Sequence, residues 1–103
     1  MAIDVVWRPQ AREDLLAIYV FIASENPRAA ERLADRIEAK LAVLSTQPRI
    51  GTRRPDIRPS VRVLIEVPYL IIYETHPDTD QGPIDTVEVV RIVHGRRDLR
   101  GLG

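Results

Sequence analysis

The sequence predicts an α+β domain in which an antiparallel helical hairpin packs on one face of a mainly antiparallel sheet. Three observations predict it. Apolar residues recur at helical spacing in two stretches of the first half, β-branched residues dominate the second half, and prolines and glycines interrupt both patterns. We therefore expect the element order β-α-α-β-β-β within a single domain spanning residues 1–103.

The first half of the chain predicts a short strand followed by two helices. The strand is expected at residues 3–7, and Pro9 suits the first turn of the first helix because its missing N–H has no partner there. The predicted core stripe of that helix is Ala11, Leu15, Ile18 and Ile22. Asn26 and Pro27 supply an N-cap and a first-turn proline for the second helix. Its predicted buried face is Ala30, Leu33, Ile37, Leu41 and Leu44.

The second half predicts three strands after a loop. Residues 48–60 contain three prolines and a glycine, which is typical of a loop. Strands are expected at residues 61–67, 69–73 and 86–94, with a turn at Pro68 and an acidic turn at residues 76–83. In the first of these strands the alternation predicts that one side is formed by Val61, Val63, Ile65 and Val67.

Composition excludes several kinds of site. The chain is 45% hydrophobic and 29% charged, and it has no cysteine, so disulfides, zinc–thiolate sites and a thiol nucleophile are excluded. Two histidines are too few for a metal-site prediction, and no phosphate-binding glycine loop is present, so we expect neither a metal nor a cofactor. The longest apolar run, residues 15–23, is far shorter than the roughly 20 residues that span a bilayer. With no visible signal peptide, we expect a soluble cytoplasmic protein with no membrane partner.

Charge is unevenly distributed although the formal net charge is zero. Residues 49–62 hold five arginines against one aspartate, residues 74–90 hold five acids and no arginine or lysine, and residues 91–100 are again rich in arginine. This segregation predicts a basic patch that meets an acidic partner or a nucleic acid. The alternative is that Arg62 and Arg91 pair within the chain, with Glu66, Glu74 or Glu88 on neighbouring strands.

The first helix carries a second apolar stripe beside its core stripe, formed by Leu16, Tyr19, Val20 and Ala23. A helix that is apolar on several faces needs covering on more than one side. Either the second helix covers this stripe within the monomer, or a partner lays an amphipathic helix against it.

The end of the last strand gathers groups that can act on a phosphate. His94 can serve as a general acid or base near neutral pH, and Arg91 or Arg62 can bind an anion. The competing interpretation is that His94 is a hydrogen-bonded structural residue and that the arginines near the chain end are solvated.

The order and spacing of these features resemble the ParE/RelE toxin superfamily. The residues that carry the resemblance are distributed from strand one to Asp98: Trp7, Pro9, Ala11, Asp14 and Leu15; Asn26, Pro27, Ala29 and Ala30; Leu44, Pro48 and Gly51; Tyr69–Tyr73; and Val90–Asp98. The resemblance implies a toxin of a type II toxin–antitoxin system that forms a hetero-oligomer with a small DNA-binding, ParD-like antitoxin.

Within the superfamily, RelE-like members cut messenger RNA in the ribosome. They use an arginine after the first tyrosine of the third strand, and often a tyrosine or histidine near the C-terminus. Leu70 stands at the position of that arginine, and residues 99–103 contain no tyrosine. The chain is therefore more similar to ParE-like members, which poison DNA gyrase by binding.

The resemblance and the residue patterns together give these site predictions. Antitoxin contacts are expected at Leu16, Tyr19, Val20, Ala23, Arg58 and Arg62. Target contacts are expected at Arg91, His94, Arg96, Arg97 and Arg100, with no catalytic residue. Two alternatives stay open: a ribonuclease that uses Arg62, Arg91 and His94, and an inert homologue that binds only its antitoxin.

Overall fold

The predicted α+β fold is confirmed by a computed structural model, which describes residues 3–99. Its elements in chain order are β1 (Asp4–Trp7), α1 (Pro9–Ala23), α2 (Pro27–Leu44), β2 (Thr52–Arg53), β3 (Val61–Glu66), β4 (Tyr69–His76) and β5 (Thr86–His94). The five strands form one sheet in the order β1-β5-β4-β3-β2. All strand pairs are antiparallel except β1 with β5, which is parallel. In residues 3–99 no helix is both long and apolar enough to cross a bilayer.

Two strand assignments differ from the sequence prediction. The two-residue strand β2 lies inside the stretch predicted as loop, where it pairs with Arg62 and Val63 of β3. Strand β4 continues to His76, through three residues that had been placed beyond the strand or in the acidic turn. Both errors have one cause. These segments extend because a neighbouring strand supplies backbone hydrogen bonds, and their own side chains show no alternating apolar pattern.

The helical hairpin packs on one face of the sheet through the residues that the sequence predicts. All five predicted core residues of α2 are buried, and Ala11 of α1 is fully buried. The Asn26 side chain accepts a hydrogen bond from the Ala29 N–H at 3.1 Å, which confirms the predicted N-cap of α2. The main core joins these helix residues to Ile71, Tyr73, Val87, Val89 and Ile92 of the sheet.

The opposite face of the sheet carries a second apolar cluster. It contains Ile72 and is completed by Ile57, Val61, Val63, Val90 and Val93, with Leu99 packed against it. Only the first half of the apolar row of β3 is buried: Val61 and Val63 are enclosed, whereas Ile65 and Val67 are 59% and 74% exposed. The loop that contributes Ile57 precedes β3 and covers the first half of that strand, and the row beyond it lies open.

Strand β1 is short, and an aspartate of α1 takes its place along the rest of β5. The last residue of β1, Trp7, lies opposite Val89, so the end of β5 has no strand on that side. Asp14 accepts a hydrogen bond from the Ile92 N–H at 3.0 Å. It also accepts from Arg91 through Nε at 2.7 Å and Nη2 at 3.1 Å. This bidentate pair fixes α1 against the edge of β5.

The same contacts decide the ionisation of Asp14. Burial opposes its charged form, but the hydrogen bonds from Arg91 and from the Ile92 N–H outweigh burial and lower the pKa of Asp14 below its ordinary value. Because the folded-state pKa is depressed, ionised Asp14 stabilises the fold at neutral pH. This contribution is lost as the pH falls through the folded-state pKa, below about 4.

We predict that Asp14→Asn lowers the free energy of unfolding by about 3 kcal/mol at pH 7, because one member of a largely buried ion pair is removed. The difference between the two proteins should narrow as the pH falls through the depressed folded-state pKa of Asp14, where the parent's carboxylate becomes protonated as well. Urea unfolding at several pH values measures both effects. The exposed Asp35→Asn change is the control, with an expected effect within about 0.5 kcal/mol. A gap between parent and Asp14→Asn that does not change with pH would contradict this account.

Candidate functional site

The basic loop and the acidic turn of this chain neutralise each other. Arg53 forms ion pairs with Asp78 at 3.0 Å and with Asp80 at 2.9 Å. Arg49 donates to the carbonyl oxygen of Thr79 at 2.9 Å. Hydrogen bonding from Arg53 is the main cause that lowers the pKa of Asp80. Much of the segregated charge in the sequence is therefore paired inside the monomer, which is the alternative to a basic patch that meets a partner.

The side chain of Arg62, a residue of β3, packs against this basic loop. Its side chain is buried and donates to Asp80 at 3.0 Å and to the carbonyl oxygens of Arg49 and Gly51 at 3.3 Å and 3.2 Å. Its Nε is buried without a hydrogen-bond partner. The neighbouring Tyr73 hydroxyl accepts from the Gly51 N–H at 2.9 Å, so the loop is held on the core. The Arg62 side chain is therefore largely enclosed by this chain, which leaves little of it exposed to an antitoxin carboxylate or an RNA phosphate.

A second charge cluster lies on the sheet face away from the helices, and sequence reasoning missed most of it. Glu74, which is 9% exposed, accepts from Arg8 at 2.7 Å and from Arg58 at 2.9 Å. Arg8 also pairs with Glu88 at 3.0 Å, and His76 Nε2 lies 3.0 Å from the same carboxylate. Hydrogen bonding from Arg8 is the main cause that lowers the pKa of Glu88.

This cluster has a structural explanation. Glu74 and Glu88 lie opposite each other on β4 and β5, and like charges in that position repel. The two arginines offset this repulsion, which leaves them little capacity to bind a phosphate. A correct prediction of the register between β4 and β5 would have placed these two acids opposite each other and so indicated the cluster from the sequence. Arg58, predicted to contact the antitoxin, therefore finds its carboxylate within this chain.

A groove runs between the helical hairpin and β1, with a volume of about 540 Å³. Leu16 and Tyr19 of the predicted stripe line it, and Leu16 is 62% exposed. Val20 is 59% exposed beyond the lining, and Ala23 is half-buried. The second stripe of α1 is therefore covered only in part within the monomer: Leu16 and Val20 are exposed, and Tyr19 and Ala23 are half-buried. The other residues that shape the groove include Trp7, Arg12, Leu15, Glu38 and Leu41.

Among the described residues, the end of β5 and the segment after it present an exposed histidine, His94, and two exposed arginines, Arg96 and Arg97. His94 accepts a hydrogen bond through Nδ1 from the Arg96 N–H at 3.1 Å and lies edge-on to the ring of Tyr69. Within residues 3–99, neither Arg96 nor Arg97 has a carboxylate at ion-pair distance. Arg91, in contrast, is turned onto Asp14. Arg100, the remaining predicted target contact, lies outside the described residues.

The alternative ribonuclease set is not brought together. In the sheet register, Arg62 of β3 lies opposite Tyr73 of β4. His94 of β5 lies opposite Tyr69, at the other end of β4. Four residues of strand separate these positions by about 13 Å. Arg62 and Arg91 are each held by a carboxylate of the chain, so His94 stands without either cation beside it.

Comparisons with known proteins agree with this architecture. The family model of the "ParE toxin of type II toxin-antitoxin system, parDE" matches residues 5–99. The chain is 29% identical over 87 residues to Toxin ParE3 of Caulobacter vibrioides, a match that covers 84% of this chain and 80% of that relative. A solved structure of the chromosomal ParDE system from P. aeruginosa has the same fold, with a TM-score of 0.70 and 24% identity, and the match covers 90% of this chain and 96% of that one. The chain therefore belongs to the ParE toxin family of type II toxin–antitoxin systems.

Proposed function

We propose that this protein is a toxin that acts by binding and poisoning DNA gyrase, and that a ParD-like antitoxin neutralises it. Family membership supports the toxin assignment. The observation that favours binding over cleavage is the fate of the candidate catalytic arginines. Arg62 and Arg91 are paired with Asp80 and Asp14, so the described groups that remain exposed at the end of β5 are the single imidazole of His94 and the side chains of Arg96 and Arg97.

Cleavage of RNA needs a base for the 2′-hydroxyl, an acid for the leaving oxygen and a cation for the phosphate. His94 alone cannot readily supply both the base and the acid in one displacement. Leu70, half-buried beside the second apolar cluster, replaces the arginine that the ribonuclease branch uses, and it can neither bind a phosphate nor transfer a proton. The exposed Arg96 and Arg97 fit a binding surface better than a catalytic centre.

The groove along α1 is the proposed antitoxin site. Its lining is mainly apolar, with Arg12 and Glu38 of opposite charge among its residues, which suits an amphipathic helix that carries charges beside its apolar face. Arg12 lies 5.7 Å from the centre of the Trp7 ring. A bound helix can desolvate this cation–π pair and strengthen it. Arg58 and Arg62 are left out of the proposed contact because their carboxylate partners are already present in the chain.

For the antitoxin, we predict that Leu16→Asp lowers the affinity at least about 100-fold, since it places a charge in an apolar contact, a loss of about 2.7 kcal/mol. Phe21→Asp is the matched control, because Phe21 is an equally accessible apolar residue of α1 outside the groove lining. Calorimetric titration with the small protein encoded beside this gene measures both. Equal losses for the two variants, or no loss for either, would refute the groove as the antitoxin site.

For the toxic activity, we predict that the purified protein inhibits supercoiling by gyrase and leaves messenger RNA intact on programmed ribosomes. His94→Ala should change the concentration for half-inhibition by less than about threefold, because no proton transfer is involved. The double change of Arg96 and Arg97 to alanine should raise it more than about tenfold, because two charged contacts are lost.

Two results would decide against this proposal. Ribosome-dependent cleavage that His94→Ala abolishes, with the fold intact, would establish the ribonuclease alternative. A folded protein that neither arrests growth nor affects gyrase would establish the inert homologue.

A further inference from the structure

We propose that the β3–β4 hairpin belongs to the target-binding surface, and that it fits a protein partner with an apolar hollow rimmed by carboxylates. We define the hairpin-end surface as Ile65, Val67, Arg96 and Arg97. This inference rests on the proposed function, since it extends the target-binding patch at the end of β5. Ile65 of β3 and Val67 of the hairpin turn are additions to the target contacts that the sequence predicted.

Backbone contacts hold the β3–β4 hairpin and the end of β5 together. Residues 67 and 68 form the turn between β3 and β4, and the Gly95 N–H donates to the carbonyl oxygen of Pro68 at 2.8 Å. On the adjoining strand, Tyr69 pairs with His94 of β5, and the Tyr69 side chain packs against the core on the helical side of the sheet. The turn and the segment that follows β5 are therefore neighbours at one end of the sheet.

The apolar part of this surface has no role in the described core. Val67 is 74% exposed and Ile65 is 59% exposed, whereas Val61 and Val63 earlier in the same row are buried. Two large neighbouring apolar side chains left in water beside polar residues are typical of a protein-binding site. Each contributes apolar area that becomes favourable only when a partner covers it.

The charge around these side chains is positive. Arg96 and Arg97 are exposed, and in the described part of the chain neither forms an ion pair. The nearby carboxylates are Glu66, which pairs with Arg36 at 3.3 Å, and Asp98, which follows the two arginines in the chain. Two arginines against one aspartate give the rim a positive balance, and a partner with carboxylates around an apolar hollow complements it.

The apolar residues favour a protein over a nucleic acid as the partner. Phosphates bind arginine, but they make no favourable contact with an exposed valine or isoleucine. The surface is also distinct from the antitoxin groove, because none of its four residues lines that groove. The inference therefore separates a target surface at one end of the sheet from an antitoxin groove on the helical side.

The test compares two variants at one position. Val67→Glu and Val67→Lys both remove the apolar side chain and add a charge of opposite sign. An acidic rim repels the first and tolerates the second. The concentration for half-inhibition of gyrase supercoiling is measured for both variants. We expect this concentration to be more than tenfold higher for Val67→Glu than for Val67→Lys. Phe21→Glu and Phe21→Lys are the matched pair at a residue of similar exposure, 77%, and they should not differ from each other.

Each variant is first checked for its melting temperature and for binding to the antitoxin, so that loss of folding is separated from loss of contact. Equal effects of Val67→Glu and Val67→Lys would overturn the acidic-rim inference. Loss of antitoxin binding by Val67→Glu would assign the surface to the antitoxin instead. A parent dimer that Val67→Glu converts to a monomer in light scattering would assign it to a second copy. An effect on duplex DNA binding alone would assign it to nucleic acid.

Failure of the proposed function is distinguishable from failure of this inference. If the parent arrests growth without inhibiting gyrase, the gyrase proposal fails, and growth arrest by the same four variants still tests the surface. Val67→Lys should then remain more toxic than Val67→Glu. A parent without any toxicity would overturn both.

Discussion

The contact between Asp14 and the edge of β5 is the constraint on which the arrangement of both proposed surfaces depends. Because β1 ends at Trp7, the chain leaves the sheet early, and α1 lies where the next part of a strand would lie. Asp14 accepts from Ile92 and Arg91 and so replaces the missing strand as a hydrogen-bond partner. This fixes the rotation of α1, which turns its core stripe inward and its second stripe into the groove. The end of β5 that Asp14 contacts is held beside the β3–β4 hairpin by its pairing with β4 and by the Gly95 N–H on the Pro68 carbonyl oxygen.

Basic and acidic residues are strongly segregated along the sequence. Ion pairs within the chain explain why most of the protein surface nevertheless needs no charged partner. The basic loop forms ion pairs with the acidic turn, and the two facing glutamates of β4 and β5 are neutralised by Arg8 and Arg58. Most of these pairs are partly exposed, so each contributes modestly to stability, and together they determine which cations remain available. Arg96 and Arg97 remain available at the end of the sheet, next to exposed apolar side chains.

Local sequence patterns predicted the helices and most of the strands. The features that the sequence did not predict depend on contacts between residues that are far apart in the chain. The N-cap at Asn26 and the buried face of α2 followed from spacing and capping chemistry, which are local. The burial of Arg62 did not, because it depends on Asp80, eighteen residues away, and on the loop held by Tyr73. Ile65 and Val67 continue the alternation of Val61, and only the limited reach of the covering loop leaves them exposed. The groove was foreseen in part, since α1 carried more apolar residues than one face can bury.

The central claim is that this ParE-family protein uses two separate surfaces, one for its antitoxin and one for its target. Hydrogen–deuterium exchange of the protein alone, with antitoxin and with gyrase tests it most directly. The account predicts that the antitoxin slows exchange in residues 12–23 and that gyrase slows it in residues 64–70 and 93–97. Protection of the same segment by both partners, or protection of neither of the gyrase segments, would contradict it.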